Sequence, residues 1–296
     1  MSLHFTKMHG LGNDFMVIDG VNHPVKLTRE DIQALSQRHT GVGFDQCLIV
    51  EPSSSPDIDF FYRIYNANGE SVGQCGNGAR CIARFIQYYK LSNKQQLKVA
   101  TTSTQLTLKL NTDETVTVNM GKPIFEPEGI PFDANHLAET YEIKALGQSI
   151  SIHALSVGNP HAILLTDHLE KAPVNELGKA ICEHPLFPQQ VNVSFLKIIT
   201  PGHIALRVFE RGCGETQACG SAAVAAAVAG QCFHQLQSTV QVDLPGGTLI
   251  VERPEPTGPV FLTGPATFSY EGIVFDTMGA ISNDDVATSI ARDALK

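Results

Sequence analysis

The stretch GQCGNGARCIARF, Gly73 to Phe85, places a Cys-Gly pair at the head of a helical pattern. Ile82, Phe85, Ile86 and Tyr89 recur at i, i+3, i+4 and i+7, which is one apolar face of an α-helix. Arg80, Arg84 and Gln87 fall off that face and read as its solvated side. A related stretch, QACGSAAVAAAV, returns at Gln217 to Val228. There Ala and Val cover every side, the pattern of a helix buried all round. Two Cys-Gly pairs heading two helices suggest that the chain repeats itself.

An offset of 144 carries Cys75 onto Cys219 and Asn66 onto Glu210. An offset of 146 carries Gly12-Asn13 onto Gly158-Asn159, and Gln46 onto Asn192. Landmarks therefore recur in order: a Gly-Asn turn, an amide residue before an apolar strand, and a Cys-Gly helix start. Downstream, QLTLKL (Gln105 to Leu110) and TVTVNM (Thr115 to Met120) alternate as a hairpin. TVQVDL (Thr239 to Leu244) and TLIVE do the same around Pro245-Gly246-Gly247. The expected fold class is α+β, with two pseudo-symmetric domains from internal duplication, each a sheet with a principal helix. The break is expected at the turn residues Gly121-Lys122-Pro123, giving domains at 1–120 and 121–265.

Bulk properties agree with two domains and narrow the function. The chain has 296 residues, 43% of them hydrophobic, enough for two cores. With 21 basic against 30 acidic residues it carries a formal charge of −9, which argues against nucleic acid or an anionic membrane as partner. The start lacks a signal-peptide pattern, and the longest apolar run, Ala222 to Ala229, is too short to span a bilayer. A cytoplasmic protein is expected. Seven cysteines with no C-x-x-C make a disulfide framework or a zinc site poor readings, and no metal is expected. GLGND and GVGFD lack the third glycine of a dinucleotide motif and read as turns.

A helix start exposes unpaired N–H groups and partial positive charge, so it binds an anion and acidifies a thiol. Two such starts facing each other would place two thiols on opposite sides of one ligand. That arrangement suits inversion at a carbon next to a carboxylate. One thiolate removes a proton from one face, and the other thiol returns a proton to the opposite face.

At these residues the chain resembles the diaminopimelate epimerase family, cofactor-independent amino-acid epimerases. The resemblance rests on HGLGNDF (His9 to Phe15), GFDQ (Gly43 to Gln46), CGNGARC (Cys75 to Cys81), GNPH (Gly158 to His161), Val191-Asn192 and ERGCGETQACGSAA (Glu210 to Ala223). It implies that Cys75 and Cys219 are the two catalytic bases and that no cofactor is needed. The implied reaction converts LL-2,6-diaminopimelate to the meso form, in lysine and peptidoglycan-precursor biosynthesis. Candidates to hold the substrate are Asn13, Gln46, Asn66, Asn159, Asn192, Glu210 and Arg211, with Arg211 forking onto the distal carboxylate and Glu210 facing an ammonium. The proximal carboxylate would rest on the N–H groups of Gly76, Asn77, Gly220 and Ser221. The resemblance also implies curved mixed sheets, each wrapped around its central helix. A last strand at about 266–278 would return to complete the first domain, leaving 279–296 as an extension.

The repeat shows where symmetry breaks: Phe15 matches His161, and Asn66 matches Glu210. His161 and Glu210 are therefore expected to help set which thiol is ionised. Cys47, Cys81, Cys182, Cys213 and Cys232 read as packing. The oligomeric state stays open, with a homodimer as one option. Two other readings compete. A proline or hydroxyproline racemase-like enzyme would not need Glu210-Arg211, and a thiol redox protein would cycle a Cys75–Cys219 disulfide.

Overall fold

The computed structural model describes residues 2–73 and 75–275. The expected extension at 279–296 lies outside them, as do residues 276–278 of the expected last strand. The first half contains β1 (Ser2–Gly10), β2 (Asn13–Asp19), α1 (Arg29–Ser36), β3 (Gln46–Pro52), β4 (Phe60–Asn66), β5 (Ser71–Val72), α2 (Gly76–Tyr88), β6 (Gln96–Ala100), β7 (Gln105–Leu110) and β8 (Val116–Asn119). The second contains β9 (Tyr141–Ala145), β10 (Gln148–Ser156), β11 (Pro160–Leu165), α3 (Val174–Cys182), β12 (Asn192–Thr200), β13 (His203–Glu210), β14 (Gly214–Thr216), α4 (Gly220–Phe233), β15 (Thr239–Leu244), β16 (Gly247–Glu252) and β17 (Phe261–Gly264). β18 (Thr267–Phe275) follows and runs antiparallel to β1.

Both halves use the same ladder. In the first, β1–β2 is antiparallel, β2–β3 parallel, β3–β4 antiparallel, β4–β6 parallel, and β6–β7 and β7–β8 antiparallel. β10 to β13 and β15 to β17 repeat that sequence of directions. The landmarks fall in register: Phe15 pairs with Gln46, as His161 pairs with Asn192. Gly12 and Gly158 have φ of 90° and 98°, a left-handed conformation that costs glycine little, so the two Gly-Asn turns match in backbone as well.

In each half the strands with continuous apolar runs, β2 and β3 and then β11 and β12, are covered on both faces, whereas β6 to β8 and β15 to β16 alternate buried and outward residues. In β2, Phe15 and Val17 face the central core with α2, whereas Met16 and Ile18 face a separate layer with Ile32 of α1. In β11 and β12, Ile163 and Leu196 face α4, whereas Ala162, Leu164, Val193 and Phe195 face α3. Helix α2 touches strands from both ends of its half, β1 and β8, and α4 likewise touches β10 and β17. Each sheet thus wraps its helix. As the sequence pattern predicts, α4 is buried from Ala222 to Gly230.

The halves join through a continuous ladder, β8 antiparallel to β17. Val118 pairs with Leu262 at the same 144 offset that relates the two cysteines, so an approximate two-fold axis passes between them. The hydroxyls of Thr117 and Thr263 hydrogen bond across this joint at 2.7 Å.

Candidate active site

Cys75 and Cys219 are the N-cap residues of α2 and α4, with extended backbones (φ −150°, ψ 110° and φ −126°, ψ 113°). Each sulfur therefore sits beside first-turn N–H groups that have no intrahelical partner. The Gly78 N–H donates to the Cys75 sulfur at 3.3 Å. The two helix starts abut at the two-fold axis. A Cβ on Gly220 would come within 3.0 Å of Leu262 Cδ2 and 3.4 Å of Asn77 Oδ1. Asn77 bridges the halves, donating to the carbonyl of Ala218 at 3.2 Å, one residue before Cys219.

The side chains around the two cysteines match pairwise. Asn77 also donates to Asn13 Oδ1 at 3.3 Å, and the Cys75 thiol points to that same oxygen at 3.8 Å. At the equivalent place, Asn159 Nδ2 donates to Ser221 Oγ at 3.3 Å, and Ser221 Oγ lies 3.5 Å from the Cys219 sulfur. Gln46 donates to Asn66 at 2.9 Å across β3 and β4, and Asn192 accepts the Arg211 backbone N–H at 3.0 Å. Glu210 accepts the Thr216 hydroxyl at 2.5 Å. Of the sequence candidates, Arg211 has its side chain apart: it is exposed and donates to the Gln189 carbonyl at 3.1 Å.

Burial sets the electrostatics. It pushes the Cys75 thiol up to about 11; the Gly78 N–H and the Arg80 cation pull it down, and Glu210 adds to the rise. Burial also pushes Cys219 well up, assisted by the charge of Glu210 and opposed by the Ser221 hydroxyl and the Ala222 N–H. The acidifying helix start expected from sequence is thus outweighed by desolvation. His161 is fully buried and is pushed down to about 3 by desolvation and then by Arg211, so it is neutral at pH 7. It reaches the site through Asn159, whose Oδ1 lies 3.0 Å from His161 Nε2.

The depressed His161 has a consequence for stability. Its folded value lies below the unfolded one near ~6.5, so the unfolded chain takes up the proton first as pH falls. The stability is complete above about pH 6.5 and is lost progressively towards pH 3. Replacing His161 with the Phe of the equivalent first-half position should flatten urea midpoints between pH 7 and pH 4. An unchanged slope in His161→Phe would count against this origin.

Three sequence expectations need correction. Arg80 is not solvated but completely buried. Its guanidinium donates to Asn77 Oδ1 at 2.9 Å, to the Pro265 carbonyl at 3.1 Å and to the Gly76 carbonyl at 3.5 Å. The helix face taken as solvent-facing meets the second half instead. Arg84 is also largely covered, bonding Glu114 with its guanidinium 5.9 Å from the Phe268 ring centre. Cys213 and Cys232 are exposed and do not pack, because they lie in a loop and on the outer last turn of α4. Sequence reasoning also missed Asp45, which accepts Asn13 Nδ2 at 2.9 Å. For Arg80 a signal existed: the 144 offset places the interior Val224 opposite it.

The family model for diaminopimelate epimerase matches residues 5–126 and 153–269. The chain belongs to the diaminopimelate epimerase family. A diaminopimelate epimerase from Legionella pneumophila strain Lens is 55% identical over 273 residues, covering 92% of this chain and 99% of the relative. The diaminopimelate epimerase of Legionella pneumophila strain Paris is 54% identical over the same length. Among solved structures, a PhzF-family phenazine biosynthesis protein from Bacillus anthracis superposes with a TM-score of 0.67 at 17% identity, over 93% of this chain and 99% of that one. A hydroxyproline epimerase from Agrobacterium vitis superposes with a TM-score of 0.66 at 13% identity, over 96% of each chain. These structures share the duplicated fold of the diaminopimelate epimerase family. As a member of that family, the chain is an isomerase.

Proposed function

We propose that the chain epimerises LL-2,6-diaminopimelate to meso-diaminopimelate, with Cys75 and Cys219 as the paired base and acid. The observation that carries this reading is the junction of the two helix starts, where Asn77 ties the segment bearing Cys75 to the carbonyl preceding Cys219. A substrate α-carboxylate on the first-turn N–H groups of Gly76, Asn77, Gly220 and Ser221 would set the α-carbon between the sulfurs. Those N–H groups would also stabilise the enolate-like charge of the transition state. The raised thiols, Cys219 buried and Cys75 half-buried, need a compensating cation to ionise, and the substrate α-ammonium would supply one. Asn13, Gln46, Asn66, Asn159, Asn192, Glu210 and Arg211 remain the groups proposed to hold the substrate's charged ends.

The test is solvent isotope uptake. Reduced enzyme in D2O, with no added cofactor, should place deuterium at the α-carbon of diaminopimelate and convert LL to meso. Uptake into proline or hydroxyproline instead would favour the racemase-like reading. No uptake in any of them, with turnover only in a dithiol assay, would favour the redox reading. Oxidation that joins Cys75 to Cys219 should abolish activity and reduction should restore it. Activity that survives complete formation of that bond would contradict a two-thiol mechanism.

A biosynthetic role in the cytoplasm is part of the same proposal, and no described helix is long and apolar enough to cross a membrane. A second copy of the chain is the proposed partner. Tyr270, Ile273 and Phe275 are exposed along β18, whose described pairing is to β1 alone. Sedimentation should show a dimer for the wild type and a monomer for Tyr270→Asp; identical profiles would remove this support.

A further inference from the structure

The two halves present opposite hydrogen-bond polarity to their cysteines. In the first, Asn13 Nδ2 is held by the Asp45 carboxylate, which can only accept. Asn13 Oδ1 is thereby turned towards Cys75, as an acceptor for its S–H. In the second, Asn159 is turned the other way: Oδ1 meets His161 Nε2 and Nδ2 donates to Ser221. An imidazole nitrogen facing a carbonyl oxygen must carry the proton, so His161 is the Nε2–H tautomer. Ser221 already accepts from Asn159, which leaves its own hydrogen free for the Cys219 sulfur at 3.5 Å.

That chain of donors needs something at the other ring nitrogen. Among the described residues, His161 Nδ1 is buried without a partner, and so is the hydroxyl of Ser194. Both residues are fully buried. On β11 and β12, Ile163 and Leu196 face the α4 core, so by two-residue alternation His161 and Ser194 share that face. The register pairs His161 with Asn192 and Ile163 with Ser194, making His161 and Ser194 diagonal neighbours. The equivalent first-half positions are Phe15 and Leu48, which pack as plain hydrocarbon; the buried unpartnered atoms of that half are Gln46 Oε1 and the Tyr62 hydroxyl. His161 Nδ1 and the Ser194 hydroxyl make no direct bond to each other, and a single water between them would satisfy both.

Resting on the two-thiol reading above, we propose that Ser194 is a positioning residue for Cys219. Its hydroxyl donates to His161 Nδ1 through one water, and so fixes the Nε2–H tautomer that turns Asn159 and frees Ser221 to donate to the sulfur. With the tautomer reversed, Asn159 would flip, Ser221 would donate to the Asn159 oxygen, and Cys219 would lose a donor at the moment it becomes an anion. The charged groups that act on this relay are Glu210, beside Cys219, and Arg211, whose exposed guanidinium reaches His161 only through its field; Arg80 acts on Cys75.

The experiment uses full-length enzyme labelled with 15N-histidine, as wild type, Ser194→Ala and Ser194→Thr. NMR of the wild type should show His161 protonated at Nε2 with a hydrogen-bonded Nδ1. Ser194→Ala should lose the Nδ1 bond and populate the other tautomer. Its kcat/KM should fall by about tenfold, the scale of one hydrogen bond to an anion, and equally in both directions because the equilibrium is fixed. The limb of the pH profile that reports Cys219 should move to higher pH. Ser194→Thr, which keeps the hydroxyl, should restore both readouts. A wild-type His161 protonated at Nδ1 overturns the proposal, and so does an alanine variant in which either the tautomer or kcat/KM stays at its wild-type value. The spectrum needs no turnover, so it judges the relay even if deuterium uptake sinks the epimerase reading.

Discussion

Cys75→Ala and Cys219→Ala are each expected to lose epimerisation by about a thousandfold or more, while each keeps hydrogen exchange at the α-carbon of one stereoisomer only. The reason is geometric. Two sulfurs on opposite faces divide the reaction into removal on one side and return on the other. With one sulfur gone, the remaining one can still take a proton and give back a solvent deuteron on its own face. Inversion then has no acid and falls by the usual contribution of a positioned acid or base, about 10²–10⁴. The two variants should label opposite stereocentres: one washes deuterium into the L centre of the substrate, the other into the D centre of the meso product. Mass spectrometry of each isomer after incubation in D2O reads this directly. If both variants label the same centre, or if one retains inversion near the wild-type rate, the two-face arrangement is wrong.

Arg80→Met should lower kcat by about a hundredfold and yet leave the urea midpoint nearly unchanged. The guanidinium is completely buried, and its hydrogen-bonding partners are carbonyl oxygens, those of Gly76 and Pro265 and the side chain of Asn77. Removing it loses those bonds but also removes the cost of burying a charge, and the two effects oppose. Activity has no such offset. Arg80 orients Asn77, which spans to Ala218 and to Asn13, and it is the cation that pulls the Cys75 thiol downward. Loss of one preorganised group at such a site costs on the order of 10²–10³ in rate. Arg80→Lys keeps the charge but cannot fork onto the same partners, so it should fall between. A kcat within threefold of wild type in Arg80→Met would reduce the residue to a structural strut.

The repeat was legible because its landmarks are backbone demands. The Gly-Asn turns need a left-handed glycine, and the cysteines cap helices, so both leave fixed marks at fixed offsets. Those offsets are the observed registers, Phe15 with Gln46 and His161 with Asn192. What was illegible depends on which half faces which. Arg80 lies off the apolar stripe of α2 and looks solvated by periodicity alone, yet that side of the helix meets Gly220, Gly264 and Pro265 of the second half. Cys213 and Cys232 failed for the opposite reason, since thiol burial is a statistical tendency and both lie where chain direction turns outward. The amide orientations of Asn13 and Asn159 are set by Asp45 and His161, partners 32 and two positions away, and no periodicity carries that.

The pairing of Val118 with Leu262 bears on how such a site could arise. A single half closing on a copy of itself through that strand would build the same cleft with two identical thiols. Identical groups related by a true symmetry axis have identical proton affinities, so neither would be predisposed to act first. Joining the two halves in one chain lifts that constraint, and the sides differ here: phenylalanine against histidine at 15 and 161, leucine against serine at 48 and 194, arginine against valine at 80 and 224. An asymmetric pair can hold one proton where a reaction needs one, and that is the endowment of a covalently joined pair over a symmetric ancestor.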